Sequence, residues 1–232
     1  MRISPFRILA ALALAAFAVC APAAAAAHTL HGQVLLLAKG GKVVDKSADV
    51  RNAVVVFRPK AGTKALATNQ VFRMVTRQKE FVPRVLAVPV GSTVQFPNDD
   101  PILHNAFTVS EGNRFDMGLY RKGEGKRVVF KTPGLVRVFC NIHQSMVAYI
   151  MVVDTPYFAM PDASGHFALS GVPDGPGTLE VWHEQTEVLS LPVTVPSAAA
   201  VQARLEVTKP RVPPHLNKLG QSYSRGNRGD NY

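Results

Sequence analysis

A heptapeptide in the second half of the chain brings three potential metal donors close together. It reads CNIHQSM, with a thiol at Cys140, an imidazole at His143 and a thioether at Met146. One apolar run, residues 135–139, precedes it, and a second, residues 147–153, follows it. If both runs are strands, the heptapeptide is a turn that presents soft and borderline ligands at the edge of a sheet. Copper prefers that set of ligands.

A fourth donor lies well upstream, at His104, after the turn-forming sequence PNDDP. Two imidazoles and one thiolate with a weak axial thioether form the blue-copper electron-transfer site. Thiolate stabilises Cu(I) and couples strongly to Cu(II), imidazole suits both oxidation states, and a long axial sulfur leaves the geometry unchanged when an electron moves. The spacing therefore predicts that one copper ion binds four residues, namely His104, Cys140, His143 and Met146.

Zinc is the chemical alternative, because two histidines and one cysteine also bind zinc. Structural zinc sites generally recruit a fourth Cys or His, and catalytic sites keep an open position. Met146 fits neither pattern, so the donor set favours copper. Asp99 and Asp100 form an acid pair, but NDDP is a good turn sequence and nothing places a substrate there. No Ser/His/Asp set or phosphate-binding glycine loop stands out, so the sequence does not indicate an enzyme.

The elements that must position these residues are predicted to be strands. Apolar residues alternate with polar ones, or form short runs bounded by Pro and Gly, and helical spacing is nearly absent after the first residues. The chain is therefore expected to be all-β. Val136, Val138 and Cys140 share one parity in a predicted strand, which places the thiol on the same inward face as two core valines.

The amino-terminal end has the layout of a secretory signal peptide, assigned to residues 1–27. A short basic region is followed by an apolar run over residues 8–21 and an alanine tract, with cleavage expected after Ala27. The run is shorter than the roughly 20 residues of a membrane-spanning helix. We therefore expect no transmembrane span, and export to the periplasm or beyond the cell. Cleavage removes Cys20 and leaves Cys140 without a disulfide partner, so that this cysteine needs another role.

The full chain has a formal net charge of +10, and changes in the sign of the charge divide residues 28–232 into segments. Residues 28–80 are basic and are expected to form a β segment that packs with the copper domain, residues 81–155. Residues 156–208 are acidic and read as a small β-sandwich, in which Trp182 should anchor the core while His166 and His183 lie at the surface. Residues 209–232 are rich in Pro, Asn, Gly and Arg and are expected to form a basic tail that is disordered or lightly tethered.

Residues 81–155 resemble the cupredoxins, the superfamily of plastocyanin and amicyanin. The Cys-x-x-His-x-x-Met spacing is similar to the short ligand loop of amicyanin. The longer run resembles exported bacterial proteins of the kind labelled methylamine utilization or plastocyanin-like proteins, in which a carboxypeptidase regulatory-like, transthyretin-type module follows. The residues that carry the resemblance are Val90-Gly91-Ser92-Thr93-Val94-Gln95-Phe96, Asn98-Asp99, His104-Asn105, Cys140 to Met146 and, for the second module, residues 162–167, 173–175 and 181–184.

The resemblance implies a cupredoxin Greek-key β-sandwich followed by a small transthyretin-like β-sandwich. It also implies that His104, Cys140 and His143 are equatorial copper ligands and that Met146 is the axial one. It implies hydrogen bonds around the ligands from Asn105, which would hold the thiolate region, and from Asn98, which would tie the two ligand loops together. His143 would lie at the surface in an apolar patch and serve as the electron exit.

The resulting hypothesis is a type 1 (blue) copper protein that carries single electrons, is monomeric and is not an enzyme. Its expected partners are redox proteins such as a periplasmic dehydrogenase or a c-type cytochrome, to which the basic regions would be attracted if those partners are acidic. Nucleic acid is not expected, because no recognised nucleic-acid-binding fold is present. Two alternatives stay open. One is a copper-binding or delivery protein, and the other is a surface-recognition β-module whose copper site is secondary.

Overall fold

A computed structural model describes residues 27–44, 48–63 and 68–223. These ranges hold seventeen strands and one short 3-10 helix, and they contain no α-helix, which confirms the prediction of an all-β protein. Within them no helix has the length and apolar character needed to cross a membrane. The predicted signal peptide, apart from Ala27, and Cys20 lie outside the described residues.

The strands are short and follow one another closely along the chain. Their bounds are β1 Ala27–Leu37, β2 Val54–Pro59, β3 Val71–Arg73, β4 Val75–Arg77, β5 Glu80–Val82, β6 Val85–Pro89, β7 Thr93–Asn98, β8 His104–Thr108, β9 Phe115–Tyr120, β10 Gly123–Val129, β11 Gly134–Phe139, β12 Val147–Val153, β13 Phe158–Ala159, β14 His166–Pro173, β15 Gly175–Trp182, β16 Leu189–Val195 and β17 Val201–Glu206, with the 3-10 helix at Val50–Asn52.

Two of the four sheets form what we call the first sandwich. One has the order β10-β7-β4-β5, with β3 also paired to β7, and the other has the order β6-β12-β11-β8-β9. Large apolar side chains such as Phe96, Phe130 and Ile150 fill the space between them and are fully buried. Val136, Val138 and Cys140 all belong to this core, as their shared parity predicted.

The other two sheets, β14-β1-β17 and β13-β2-β15-β16, form the second sandwich. Strand β1 lies between β14 and β17, and its inward residues Leu30, Val34 and Leu36 fill the second core. Residues 28–80 were expected to form a β segment that packs with the copper domain. Strands β3 to β5 join the first sandwich, whereas β1 and β2 are hydrogen-bonded into the second, where β1 buries the apolar side of its alternating pattern.

A third core joins the two sandwiches. Val54 and Val56 on the outer face of β2 pack, together with Trp182, against the first sandwich. The ring centroids of Trp182 and Tyr149 are 5.3 Å apart. Trp182 was expected to anchor the second sandwich's own core. Because its neighbour Val181 points into that core, alternation along β15 places Trp182 on the opposite face, between the sandwiches.

Buried polar groups accompany this apolar contact. Arg84 Nε lies 2.6 Å from Glu184 Oε2, and the side chain of Glu184 is 1% exposed. Glu184 also accepts a hydrogen bond from Asn52 Nδ2 at 3.1 Å. Arg84 donates through Nη1 to the carbonyl of Val147 at 2.9 Å. These bonds connect β12 of the first sandwich to the end of β15 in the second.

His183 lies at the same junction and is fully buried, which corrects its expected surface position. Its Nε2–H donates to the carbonyl of Asp49 at 3.1 Å, and its Nδ1 accepts from the backbone N–H of Gln185 at 3.2 Å. Both ring nitrogens are therefore paired. The prediction was wrong because a histidine among Glu, Gln and Thr has the composition of an exposed turn.

Candidate metal centre

Two chain segments bring the predicted donors to one edge of the first sandwich. His104 is the first residue of β8, and Cys140 directly follows β11, which pairs with β8 through Phe139 and Phe107. The loop after Cys140 is closed by backbone bonds from Met146 N–H to His143 O at 3.1 Å and from Cys140 N–H to Met146 O at 3.2 Å. Strand pairing therefore fixes the first histidine beside the cysteine loop.

The metal-binding atoms of His104, Cys140 and His143 all lie within 4.8 Å of one another. Cys140 Sγ is 3.8 Å from His143 Nδ1, and the two imidazole centroids are 4.9 Å apart. Cys140 and His104 are 0% exposed and His143 is 8% exposed. Three of the four predicted donors thus converge in a dry site.

The hydrogen bond from His104 to Asp100 favours a tautomer in which Nδ1 can accept a metal. Its Nε2 lies 2.9 Å from Asp100 Oδ2, and because an ionised carboxylate only accepts hydrogen bonds, Nε2 carries the proton. Its Nδ1 is buried and has no hydrogen-bond partner. A buried polar atom without a partner is destabilising, and a carboxylate bond to the far nitrogen is the usual companion of a metal-ligating histidine.

Asp100 belongs to this site, although the sequence predicted only a turn at this position. Besides the bond to His104, its carboxylate accepts from the backbone N–H groups of Gln78 at 2.7 Å and Lys79 at 2.9 Å. Gln78 and Lys79 have φ values of 53° and 58°, a left-handed turn that points both N–H groups at the acid. Burial acts to raise the pKa of Asp100, but these hydrogen bonds outweigh it and the pKa is lowered. The one sequence feature that could have identified Asp100 is its position four residues before His104.

The protonation of the three donors in the metal-free chain follows from their burial. Burial raises the pKa of the Cys140 thiol, while backbone N–H groups of His143, Asn105 and Ile142 act in the opposite direction. Burial also lowers the pKa of both histidines, which favours the neutral imidazole that binds a metal. A bound cation would supply the positive charge that favours the thiolate.

Met146 lies in the same core as Cys140 and is 1% exposed. Its backbone is tied to Cys140 by the bond that closes the ligand loop. A thioether at this point of the core is available to the site. Axial ligation by Met146 stays a prediction.

The two asparagines differ in what they hold. Asn105 Oδ1 accepts from the N–H of Asn141 at 3.3 Å, while its Nδ2 donates to Asp116 Oδ1 at 2.8 Å. It therefore links the His104 strand to the Cys140 loop. Asn98 donates to the carbonyl of Ile102 at 2.9 Å and accepts from the N–H of Asp100. Asn98 Nδ2 also donates to the carbonyl of Tyr120 at 3.5 Å, so Asn98 ties its own loop to the end of β9. A link between the two ligand loops through Asn98 stays a prediction.

No protein-family model matches the chain, and no curated protein matches it by sequence. Among solved structures, a purple cupredoxin from Nitrosopumilus maritimus is 22% identical over 35% of this chain and 99% of its own, with a TM-score of 0.33. A reduced amicyanin mutant is 18% identical over 44% of this chain and 99% of its own, with a TM-score of 0.35.

A Cu-containing nitrite reductase from Thermus scotoductus SA-01 is 31% identical over 41% of this chain, with a TM-score of 0.35. The overlap spans only 25% of the reductase chain. Each of these overlaps leaves more than half of the present chain unmatched. The chemistry of the centre therefore follows from its own donor atoms.

Proposed function

We propose that this chain is an exported type 1 copper protein that carries single electrons through a site of two histidines, one cysteine and one methionine. The observation that carries the proposal is the convergence of two imidazoles and one thiol within 4.8 Å, with the inner nitrogen of His104 buried and unpartnered. This donor set, completed by a weak thioether, is that of an electron-transfer copper site. The zinc alternative is less favoured, because a closed zinc site generally recruits a fourth Cys or His and not a methionine.

In this proposal His104, Cys140 and His143 hold the ion, with Met146 as the axial ligand. The bound metal supplies a Cu(II)/Cu(I) couple. The chain's own contribution is to keep the donors in place in both oxidation states. Asp100 orients His104, and Asn105 joins the two ligand-bearing segments. Ligands held in this way need little rearrangement when the charge of the ion changes.

Burial of the donors supports a carrier over a delivery protein. A protein that passes copper on as cargo needs a route by which the ion is exchanged with an incoming ligand. Here two donors have no exposed surface and the third, His143, is 8% exposed. The small exposed edge of His143 is the electron exit in this proposal. In this proposal all four donors bind the ion and no coordination position is left for a substrate, so we propose a carrier and not an enzyme.

The proposal includes export and a protein partner. Residues 1–27 would direct export and be cleaved, and the mature protein would work as a monomer in the periplasm or outside the cell. Its partners would be redox proteins such as a dehydrogenase or a c-type cytochrome. The formal net charge of the full chain is +10, or +8 once Arg2 and Arg7 are removed with residues 1–27, and it favours association with an acidic surface.

Copper loading tests this function directly. The chain from His28 to Tyr232 is expressed, loaded with Cu(II) and measured for the intense visible absorption of a thiolate-to-copper charge transfer, with Cys140→Ser as the matched control. We expect colour in the wild type, none in the variant, and reversible voltammetry. A colourless wild type would refute the proposal. A coloured protein that rapidly gives its copper to a chelator, with no reversible electrochemistry, would support the delivery function instead.

A further inference from the structure

Residues 209–223, which we call the C-terminal strap, run across the outside of the ligand loops. The carbonyl of Arg211 accepts a hydrogen bond from Arg84. The His215 ring stacks on Phe139, one residue before Cys140, with centroids 4.4 Å apart and planes inclined by 19°. These contacts tether residues 209–223, for which disorder or a light tether was expected, while residues 224–232 lie outside the described chain.

Lys218 of the strap completes a closed ring of hydrogen bonds around the two ligand-bearing segments. Its backbone N–H donates to Asn141 Oδ1 at 3.0 Å, and its Nζ donates to Asp116 Oδ2 at 2.7 Å. Asp116 Oδ1 accepts from Asn105, and Asn105 Oδ1 accepts from the N–H of Asn141. Asn105 follows the ligand His104 and Asn141 follows the ligand Cys140, so the ring spans both sides of the site.

Tyr223 anchors the far end of the strap on the cysteine itself. Its hydroxyl donates to the carbonyl of Cys140 at 2.8 Å, and the residue is 6% exposed. That carbonyl belongs to the peptide that joins Cys140 to Asn141. The hydrogen bond therefore fixes the peptide at which the chain turns from β11 into the ligand loop.

From these contacts we propose that Lys218 and Tyr223 are positioning residues of the copper centre, through which the strap holds the His104 and Cys140 segments in register. The inference rests on the proposed function, since it names parts of the same site. An exposed ion pair alone contributes little, and the side chains of Lys218 and Asp116 are 32% and 42% exposed. The ring acts through geometry, because each of its bonds restrains an atom next to a ligand.

The strap is separable from the fold that it covers. It contributes no strand to any of the four sheets, and Tyr223 is its one buried apolar residue within the described chain. The cores of both sandwiches are built from other residues. Variants of Lys218 and Tyr223 should therefore fold, and their effect should appear at the metal.

The test compares copper-loaded Lys218→Gln, Lys218→Arg and Tyr223→Phe with Lys122→Gln, which makes the same change of charge in an exposed turn. Loss of a bond that orients metal ligands typically lowers metal affinity 10- to 100-fold, so we expect copper transfer to a chelator to be about tenfold faster in Lys218→Gln and in Tyr223→Phe. Their charge-transfer bands should shift as well. Lys122→Gln should match the wild type, and Lys218→Arg should recover most of the wild-type behaviour.

A measurement without copper separates this inference from the proposed function. Amide hydrogen exchange of residues 141–146 in the metal-free chain should be faster in Lys218→Gln and Tyr223→Phe than in Lys122→Gln. If the wild type stays colourless but exchange accelerates, the copper function fails and the strap still positions the loop. If the wild type is coloured and both variants keep its band, transfer rate and exchange, the positioning role is refuted.

Discussion

Two regions of the molecule each bury a histidine and a carboxylate. One is the edge of the first sandwich that carries His104, Cys140 and His143, which we call the metal edge, and the other is the junction between the sandwiches. The two regions differ in how many of the buried polar atoms have hydrogen-bond partners. At the junction both nitrogens of His183 are paired, and Glu184 is bonded to Arg84 and Asn52. At the metal edge only the outer nitrogen of His104 is paired, through Asp100. The other nitrogen of His104, Nδ1, is buried without a partner, and His104 is one of the three converging donor residues.

This difference separates a structural polar cluster from a binding site. A fold buries polar groups at little net loss when each finds a partner, as at the junction. Two other buried side-chain atoms in the described chain, Ser92 Oγ and His215 Nε2, also lack partners. Neither Ser92 nor His215 belongs to the group of three converging donor residues, whereas His104 does. An unpaired atom indicates a ligand when further donors point at the same place.

The strongest test of this contrast replaces the two histidines by the same residue. His104→Ala removes a proposed ligand, and we expect a loss of copper affinity greater than the roughly 100-fold that changes in the partners of metal ligands reach, with loss of the visible band. His183→Ala leaves the N–H of Gln185 and the carbonyl of Asp49 unpaired and should destabilise the fold by about 2–4 kcal/mol while the band remains. Copper titration and urea unfolding measure the two effects. Equal loss of copper in both variants would erase the distinction.

The same contrast explains what could be predicted from the sequence. The strands and the candidate donors His104, Cys140 and His143, which the structure brings together, could be named from the sequence, because alternation and ligand spacing are local properties of the chain. Ligation by Met146 stays a prediction. The partners of β1, the burial of His183 and the course of the strap were not, because they depend on contacts between residues far apart in sequence. Trp182 illustrates the limit. Alternation along β15 predicts that Trp182 and Val181 lie on opposite faces of the sheet. It does not predict which other sheet covers the face that carries Trp182.

A second test breaks the ion pair at the junction, at a residue that also bonds the carbonyls of Val147, which follows Met146, and of Arg211 in the strap. Arg84→Met leaves Glu184 buried without its cation and should destabilise the chain by about 3–5 kcal/mol. The control Arg73→Met breaks an ion pair with Glu124 whose side chains are 52% and 78% exposed, and it should change stability by less than about 1 kcal/mol. Trp182, the single tryptophan, lies between the sandwiches and reports urea unfolding by fluorescence. Loss of the visible copper band in an Arg84→Met variant that still folds would show that the junction and the metal edge are coupled.

A third test asks whether Asp100 acts on the metal through His104. Asp100→Asn removes the negative charge that accepts the Nε2 proton, and we expect copper affinity to fall by about tenfold in competition with a chelator. Asp99→Asn makes the same chemical change at the adjacent position, where the acid pairs with Arg77 at 2.7 Å on the surface. That control should bind copper as the wild type does. Similar losses in both variants would point to net charge as the cause and not to the orientation of His104.

The smallest expected effect is the pH dependence of stability that His183 contributes. Burial lowers its pKa, so between the folded value and the ordinary value near 6.5 the unfolded chain binds more protons than the folded one. The stability that His183 contributes is therefore present above about pH 6.5 and is lost as the pH falls through the folded pKa. We expect the Tm of the metal-free chain to fall from pH 7 to pH 5, and His183→Gln to flatten that decline even though its Tm at pH 7 is lower. The exposed His166→Gln should keep the wild-type slope. A His183→Gln slope equal to that of the wild type would assign the acid sensitivity to the metal edge, where burial lowers the pKa of His104 and His143 as well.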